Sequence, residues 1–419
     1  MRTVPLPSSK SVTLRTLLLA SVANGISVLE GVTLCDDVRA LLSNFAHLGV
    51  GYTIDKDRMT VEGRRWQQTP ELYCGESGFL ARTLPFFSAV QGGTGNVNGE
   101  GSLLRRKLDD LTSVFCAAGG TCDSWTGLLP VHYTPLSLKD EIEIGVQDSS
   151  QSLSGLLMTV PLSNAQKRVK FATSASVGYI WTTLSVMREF GVVMEIDERD
   201  GDTTVDFLSS GYLAWAGRIE ADWSGAAQII ATAQVGERLC LQGLREDSLQ
   251  PDRAILSVLE DIGWESHWIA GELFITPRYP TRPFTFDATQ TPDLFPALAA
   301  LATQAEGVSA IRGIHRLHNK ESDRAAALVR MLGSYGIPCH IEGDILYIDG
   351  GDSSSDNRPK ASGVIPTFHD HRIAMAAAAI GLRCVSPPKL DDAACVGKSF
   401  PRFFDYLPES LPALLSDLS

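Results

Sequence analysis

Hydrophobic and polar positions along this chain fall into one pattern that recurs about every seventy residues. A helical stretch ends at a glycine, and two short alternating runs follow, as in Arg188-Glu189-Phe190-Gly191-Val192 and Gly333-Ser334-Tyr335-Gly336-Ile337. The glycines at 49, 119, 191, 263 and 336 lie 70, 72, 72 and 73 residues apart. Each suits the position just past a helix, where a left-handed residue turns the chain into a strand. The runs behind them alternate as hairpins do, most clearly in Cys339 to Ile348 around Gly343-Asp344. A period near 70 over 419 residues makes six units.

The other half of each unit is a helix that is apolar nearly all round, such as Ile373-Ala374-Met375-Ala376-Ala377-Ala378-Ala379-Ile380. Helices of that kind are buried, so helices rather than sheet occupy the middle of each domain. Their starts are polar: Ser8 to Ser11, Cys74 to Gly78, Asp148 to Gln151, Asp222 to Gly225, Gln290 to Asp293 and His369 to Arg372. The second helices begin at Asp36-Asp37, Arg105-Arg106, Ser176 to Tyr179, Asp252-Arg253, Glu321 to Arg324 and Lys398-Ser399. At the first of these starts a strand from Arg2 to Leu6 meets proline, Ser8 and Ser9 offer caps, and Lys10, Ser11 and Arg15 face the free N–H groups. A helix start with cations beside it favours an anion. Repeated six times, the construction expects an anion-rich ligand.

Composition narrows the partners. The net charge of −13 argues against nonspecific nucleic-acid binding, so an anionic substrate must meet a locally basic site in an acidic molecule. No apolar run reaches the length of a membrane span and no signal-peptide pattern opens the chain, which predicts a cytoplasmic protein without a membrane partner. The eight cysteines are scattered without a C-x-x-C pair, as for thiols in a reducing compartment, and no zinc site is expected. His369-Asp370-His371-Arg372 heads a helix beside an arginine, which favours an anion over a metal. Gly397-Lys398-Ser399 lacks the phosphate-loop glycine, having Asp392 five residues before Gly397. Gly75-Glu76-Ser77-Gly78 has the wrong spacing for a nucleophile elbow. The loop Gly350 to Asp356 is of low complexity.

Six units carrying Ser9-Lys10-Ser11 with Arg15, then Gly75-Glu76-Ser77-Gly78, Ser149-Ser150-Gln151, Lys320-Glu321-Ser322-Asp323-Arg324, Asp370-His371-Arg372 and Lys398-Ser399-Phe400-Pro401, in this order, resemble the 5-enolpyruvylshikimate-3-phosphate synthases. The resemblance runs from Lys10 to Pro401. It implies an inside-out, two-domain α/β fold of six βαβαββ-type repeats, three per domain, around buried parallel helices. Domain I would comprise 1–8 plus 220–419 and domain II 9–219, with the active site in the cleft. The implied partners are phosphoenolpyruvate and shikimate 3-phosphate, handled by a monomer with neither metal nor organic cofactor.

Site residues follow from the same resemblance. Ser149, Ser150 and Ser176 would hold the shikimate phosphate and Ser11 and Arg15 its carboxylate, while Lys10 would touch both substrates and belong with Lys398 to the catalytic set. Gln151 and Tyr179 would lie along the ring, with Asp293 and Lys320 at its hydroxyls. Phosphoenolpyruvate would lie among Lys10, Gly78, Arg106, Gln151, Arg324, Arg372 and Lys398. Asp293 suits the base for the 5-hydroxyl proton, and Glu321, near Lys398, the acid that protonates C3. Departures from the family pattern include Ser9, Glu76, Phe79, Lys107, Trp181 and Arg316; Phe79 and Glu76 are expected to crowd glyphosate, a longer anionic mimic, in the phosphoenolpyruvate site more than the substrate itself. The alternatives are the transferase acting on UDP-N-acetylglucosamine, whose lysine-asparagine pair and loop cysteine are missing here, and a non-catalytic anion-binding relative.

Overall fold

A computed structural model describes residues 1–124, 126–145, 149–163, 166–172, 176–351, 359–386 and 388–407. Asp148 and most of the low-complexity loop, 352–356, lie outside these residues. The chain divides into a split unit, Met1–Ser9 with Glu220–Ser419, and a continuous unit, Lys10–Ile219.

The continuous unit contains, in order, α1 (Lys10–Val22), α2 (Asp36–Leu48), α3 (Gly78–Val90), α4 (Asp109–Ala118), α5 (Gln151–Thr159) and α6 (Gly178–Glu189). The odd-numbered helices are the apolar ones and are buried along nearly their whole length. Their neighbours are amphipathic, as Asp36, Arg39 and His47 on the solvent side of α2 illustrate. Where α5 meets α3 the packing needs a glycine: a Cβ on Gly155 would stand 2.7 Å from the Arg82 carbonyl oxygen.

Each repeat of this unit closes its helices with a four-stranded sheet. In the second, Glu71–Tyr73 runs parallel to Gly95–Asn98, which pairs antiparallel with Val131–Tyr133, itself paired with Cys122–Asp123. The third repeats that order with Glu141–Ile144, Lys167–Ala172, Asp202–Phe207 and Met194–Arg199. The first lacks a preceding strand of its own. Ala216–Arg218, from the far end of the unit, takes the place beside Gly25–Glu30.

The split unit adds α7 (Trp223–Ala231), α8 (Ile255–Asp261), α9 (Phe295–Ala302), α10 (Arg324–Ser334) and α11 (His371–Gly381). Again the odd-numbered helices are buried, and α7, α9 and α11 pack on one another. Arg2–Pro5 supplies the edge strand beside Leu239–Gln242 across more than two hundred residues of sequence. A second sheet is built from Thr285–Asp287, Val308–Arg312, Ile345–Asp349 and Cys339–Glu342.

The sixth repeat departs from the expected pattern. Among the described residues it has α11 between the paired residues Ile365 and Leu390 and then short 3-10 turns, but no four-stranded sheet. Lys398 therefore ends a 3-10 turn (Ala394–Lys398) instead of opening a helix. Arg106 likewise follows the 3-10 turn Gly101–Arg105, ahead of α4. The five repeat glycines all sit at positive φ, from +66° at Gly336 to +108° at Gly119. No helix among the described residues is long and apolar enough to cross a membrane.

Candidate functional site

In the split unit the starts of α9, α10 and α11 bring six of the expected residues into one ion-pair network. Asp293 lies in the turn Pro292–Leu294 that leads into α9. Its Oδ1 accepts from Arg324 Nη1 at 2.8 Å and from Lys320 Nζ at 3.4 Å, and its Oδ2 accepts from Arg372 Nη2 at 3.1 Å. Arg324, the first residue of α10, is 1 % exposed and uses its whole fork. Nε donates to Asp370 Oδ2 at 2.7 Å and Nη2 to Glu321 Oε2 at 2.6 Å. Glu321 Oε1 stands 3.9 Å from Lys398 Nζ.

Caps explain why these residues converge. The Asp323 carboxylate accepts from the Ala326 N–H at the head of α10, and Asp370 accepts from the Arg372 N–H at the head of α11. Asp370, wholly buried, thereby serves a helix end and Arg324 together. Burial pushes the Asp293 carboxyl up, but Arg372, Lys320 and Arg324 outweigh it and hold it well below the usual carboxylate range. Burial pulls Arg324 down while Asp370, Glu321 and Asp293 raise it further, so it stays charged.

The continuous unit presents a different arrangement. Arg15 is 2 % exposed and pairs with no carboxylate among the described residues. Its Nε donates to Thr183 Oγ1 at 2.7 Å, Nη1 to the Ser11 carbonyl at 2.9 Å, and Nη2 to Ser154 Oγ at 3.3 Å and the Tyr179 carbonyl at 3.4 Å. The guanidinium lies 4.5 Å from the centroid of the Phe79 ring. Burial pulls it down to about 10, which still leaves it protonated at neutral pH. A buried cation whose described partners are neutral oxygens and a ring can accept an anion.

Lys10, at the start of α1, pairs with Asp37 of α2 at 3.1 Å. Gly78 opens α3 under the Arg106 guanidinium, so closely that a Cβ would stand 2.7 Å from Arg106 Nη2. Ser149 Oγ accepts from the Gln151 N–H at 3.3 Å at the start of α5, and Ser150 is buried beside it. Ser176, ahead of α6, is buried at φ +65°, a left-handed conformation seldom adopted by serine. Among the described residues no cluster of His, Cys, Asp and Glu could hold a metal ion.

The family model described as EPSP synthase (3-phosphoshikimate 1-carboxyvinyltransferase) matches residues 2–407. The chain belongs to the EPSP synthase family. Proteins named 3-phosphoshikimate 1-carboxyvinyltransferase from Clostridium kluyveri and Syntrophobacter fumaroxidans are 30% and 33% identical to it, covering 96% and 95% of this chain and 93% and 94% of theirs. In fold it resembles the EPSP synthase of Acinetobacter baumannii, with a TM-score of 0.78 at 24% identity over 96% of this chain and 94% of that one. The enolpyruvyl transferase NikO of Streptomyces tendae gives 0.76 at 18% over 97% and 94%.

Two side chains that depart from the EPSP synthase pattern take up unexpected partners. Phe79 turns its ring to Arg15, and Glu76 accepts hydrogen bonds from the Ser102 N–H and hydroxyl. Residues without an expected role also enter: Asp370 as the buried anchor of Arg324, Asp37 as the partner of Lys10, and Thr183 and Ser154 around Arg15. Asp370 sits two residues before Arg372 and was open to notice as a helix cap. The Arg15 cradle uses Ser154 of α5 and Thr183 of α6, and nothing in the sequence of either helix sets these two apart from its other hydroxyl residues.

Proposed function

We propose that the chain transfers the enolpyruvyl group of phosphoenolpyruvate to the 5-hydroxyl of shikimate 3-phosphate, giving 5-enolpyruvylshikimate 3-phosphate and phosphate. What carries this reading, beside the family, is the network that joins Asp293 to Glu321 and Lys398 through Arg324. Two acids are held together there with cations enough to receive an anion.

Asp293 takes the 5-hydroxyl proton as that oxygen bonds to C2 of phosphoenolpyruvate, and Glu321 protonates C3. In the resulting tetrahedral intermediate the C2–O bond to phosphate then breaks as C3 loses a proton, which leaves the enol ether. An arriving anion that competes for Arg372 relieves Asp293 of one of its cations and raises its basicity. Arg106, Arg324, Arg372, Lys10 and Lys398 balance the carboxylate and the departing phosphate, with Gly78 and Gln151 beside them. Ser149, Ser150 and Ser176 take the shikimate phosphate, Ser11 and Arg15 its carboxylate, and Gln151, Tyr179 and Lys320 the ring. The protein works as a cytoplasmic monomer, which sedimentation with and without substrates checks. Phosphate release from phosphoenolpyruvate should depend on shikimate 3-phosphate; release that ignores it, or none with both present, would overturn the assignment.

Two substitutions separate the substrates. Arg15→Ala should raise the KM for shikimate 3-phosphate by about tenfold or more, the cost of losing a charge-assisted pair. Phe79→Thr, which removes only the ring beneath that guanidinium, should raise it about two- to tenfold. The KM for phosphoenolpyruvate should stay put in both. Gly78→Ala should do the reverse, since the new methyl displaces Arg106. A rise of about tenfold in the KM for phosphoenolpyruvate is expected, with little change in melting temperature. An unchanged value would mean that Arg106 does not touch that substrate.

A further inference from the structure

The split unit holds a buried carboxyl that the reaction above does not use. Asp252 lies in the turn Pro251–Ala254 ahead of α8, packed on α7, and is 2 % exposed. Its Oδ2 accepts from the Ser224 hydroxyl, whereas the buried Oδ1 has no hydrogen-bond partner among the described residues. A carboxylate buried with one oxygen unmatched takes up a proton unless a cation compensates it. The turn that carries Asp252 and the helix α11, whose second residue is Arg372, both pack on α7, and Arg372, already paired with Asp293, is a cation that acts on this carboxyl. Asp293, and Asp222 at the cap of α7, act in the opposite sense as like charges. Burial first, then Asp293, push the Asp252 carboxyl up to about 7, against Arg372 and the Ser224 hydroxyl.

We propose that Asp252 is a positioning residue for Arg372: by holding or releasing one buried proton it sets the negative charge that faces this arginine, and so how readily Arg372 receives the anionic substrate. The inference rests on the assignment of Arg372 to phosphoenolpyruvate. With Asp252 neutral, Asp293 is the carboxylate an arriving anion must displace. With Asp252 ionised, a second negative charge acts on the same guanidinium, in surroundings that screen it little. Phosphoenolpyruvate therefore binds the protonated form better. Affinity is highest below pH 7 and falls as pH rises through it, and binding draws a proton from solution.

Asp252→Asn keeps the shape and fixes the neutral state. The ligand's own ionisation affects both proteins alike, so the ratio of the two KM values isolates Asp252. Between pH 7 and pH 8 the wild-type KM for phosphoenolpyruvate should rise by up to about fivefold relative to Asp252→Asn, while the kcat ratio stays flat. Ser224→Ala retains the carboxyl but removes the hydrogen bond that favours its ionised form, and should move the same limb to higher pH. Calorimetric titration with phosphoenolpyruvate in two buffers of different ionisation heat should show proton uptake by the wild type and less by Asp252→Asn. Superimposable profiles in all three proteins would overturn the proposal, as would a constant loss in Asp252→Asn at every pH. Absence of phosphate release by the wild type would instead overturn the assigned reaction, and the calorimetric comparison would then decide the role of Asp252 alone.

Discussion

Arg324→Met should lower the stability of the split unit by about 3–5 kcal/mol, the usual cost of removing one partner from a buried ionic network. Asp370 has no exposed surface and would be left with the Ser322 hydroxyl and the Arg372 N–H, while Asp293 and Glu321 would each lose their shortest contact with a cation. Urea unfolding of the full chain measures the change. A second substitution, Asp370→Asn, should recover part of the loss because it removes the stranded charge. A shift below about 1 kcal/mol in the single variant would show that water reaches the network. The pH dependence has a definite sign. Because the Asp293 carboxyl is held well below its ordinary value, its contribution is complete above the unfolded value near 4. It is lost as pH falls through the folded value, so neutral and mildly acidic solutions should leave it intact.

Glu321→Ala and Asp293→Ala should each lose turnover by about two to four orders of magnitude, the size expected for a positioned acid or base. Their binding behaviour should differ. Glu321→Ala leaves Arg324 held by Asp370 and Asp293, so the fold should persist and the loss should fall on kcat. Asp293→Ala removes the anion that now occupies Arg372 and Lys320, and the KM for phosphoenolpyruvate should fall or hold while kcat collapses. Near-full turnover in Glu321→Ala would pass the acid role to Lys398, 3.9 Å away. An Asp293→Ala variant that loses affinity as steeply as turnover would mean that the carboxylate holds substrate and moves no proton.

Local physics made much of this legible beforehand. A glycine that ends a helix carries its own signature, and Gly49, Gly119, Gly191, Gly263 and Gly336 all adopt the left-handed conformation their spacing implied. Helices as uniformly apolar as α9 and α11 have no solvent face, and both are buried throughout. Asp293, Glu321, Arg324 and Arg372 were marked by their expected places at helix starts, whereas Lys398, expected at another start, ends a 3-10 turn and still joins them. Other features depend on partners far away in sequence. Nothing local in Ala216-Gly217-Arg218 says that it completes the sheet of Gly25–Glu30. The start assumed at Arg105-Arg106 failed because a 3-10 turn intervenes before Asp109. Phe79 looked like bulk beside Gly78, yet successive residues of a helix point about 100° apart, and its ring reaches Arg15.

The pairing of Arg2–Pro5 with Leu239–Gln242 also fixes an order of assembly. During synthesis Arg2–Pro5 leaves the ribosome well before its partner, which emerges only after the whole of Lys10–Ile219 has been made. The continuous unit can therefore fold while translation proceeds, since every strand of its sheets lies between Lys10 and Ile219. The first nine residues must wait, an unpaired strand tethered to a finished domain. Closing so long a loop costs little more entropy than closing one half its length, because that cost grows only with the logarithm of the span. The exposed interval is the greater hazard, and Arg2, Pro5 and Pro7 are residues that discourage a waiting edge from pairing with a neighbouring chain.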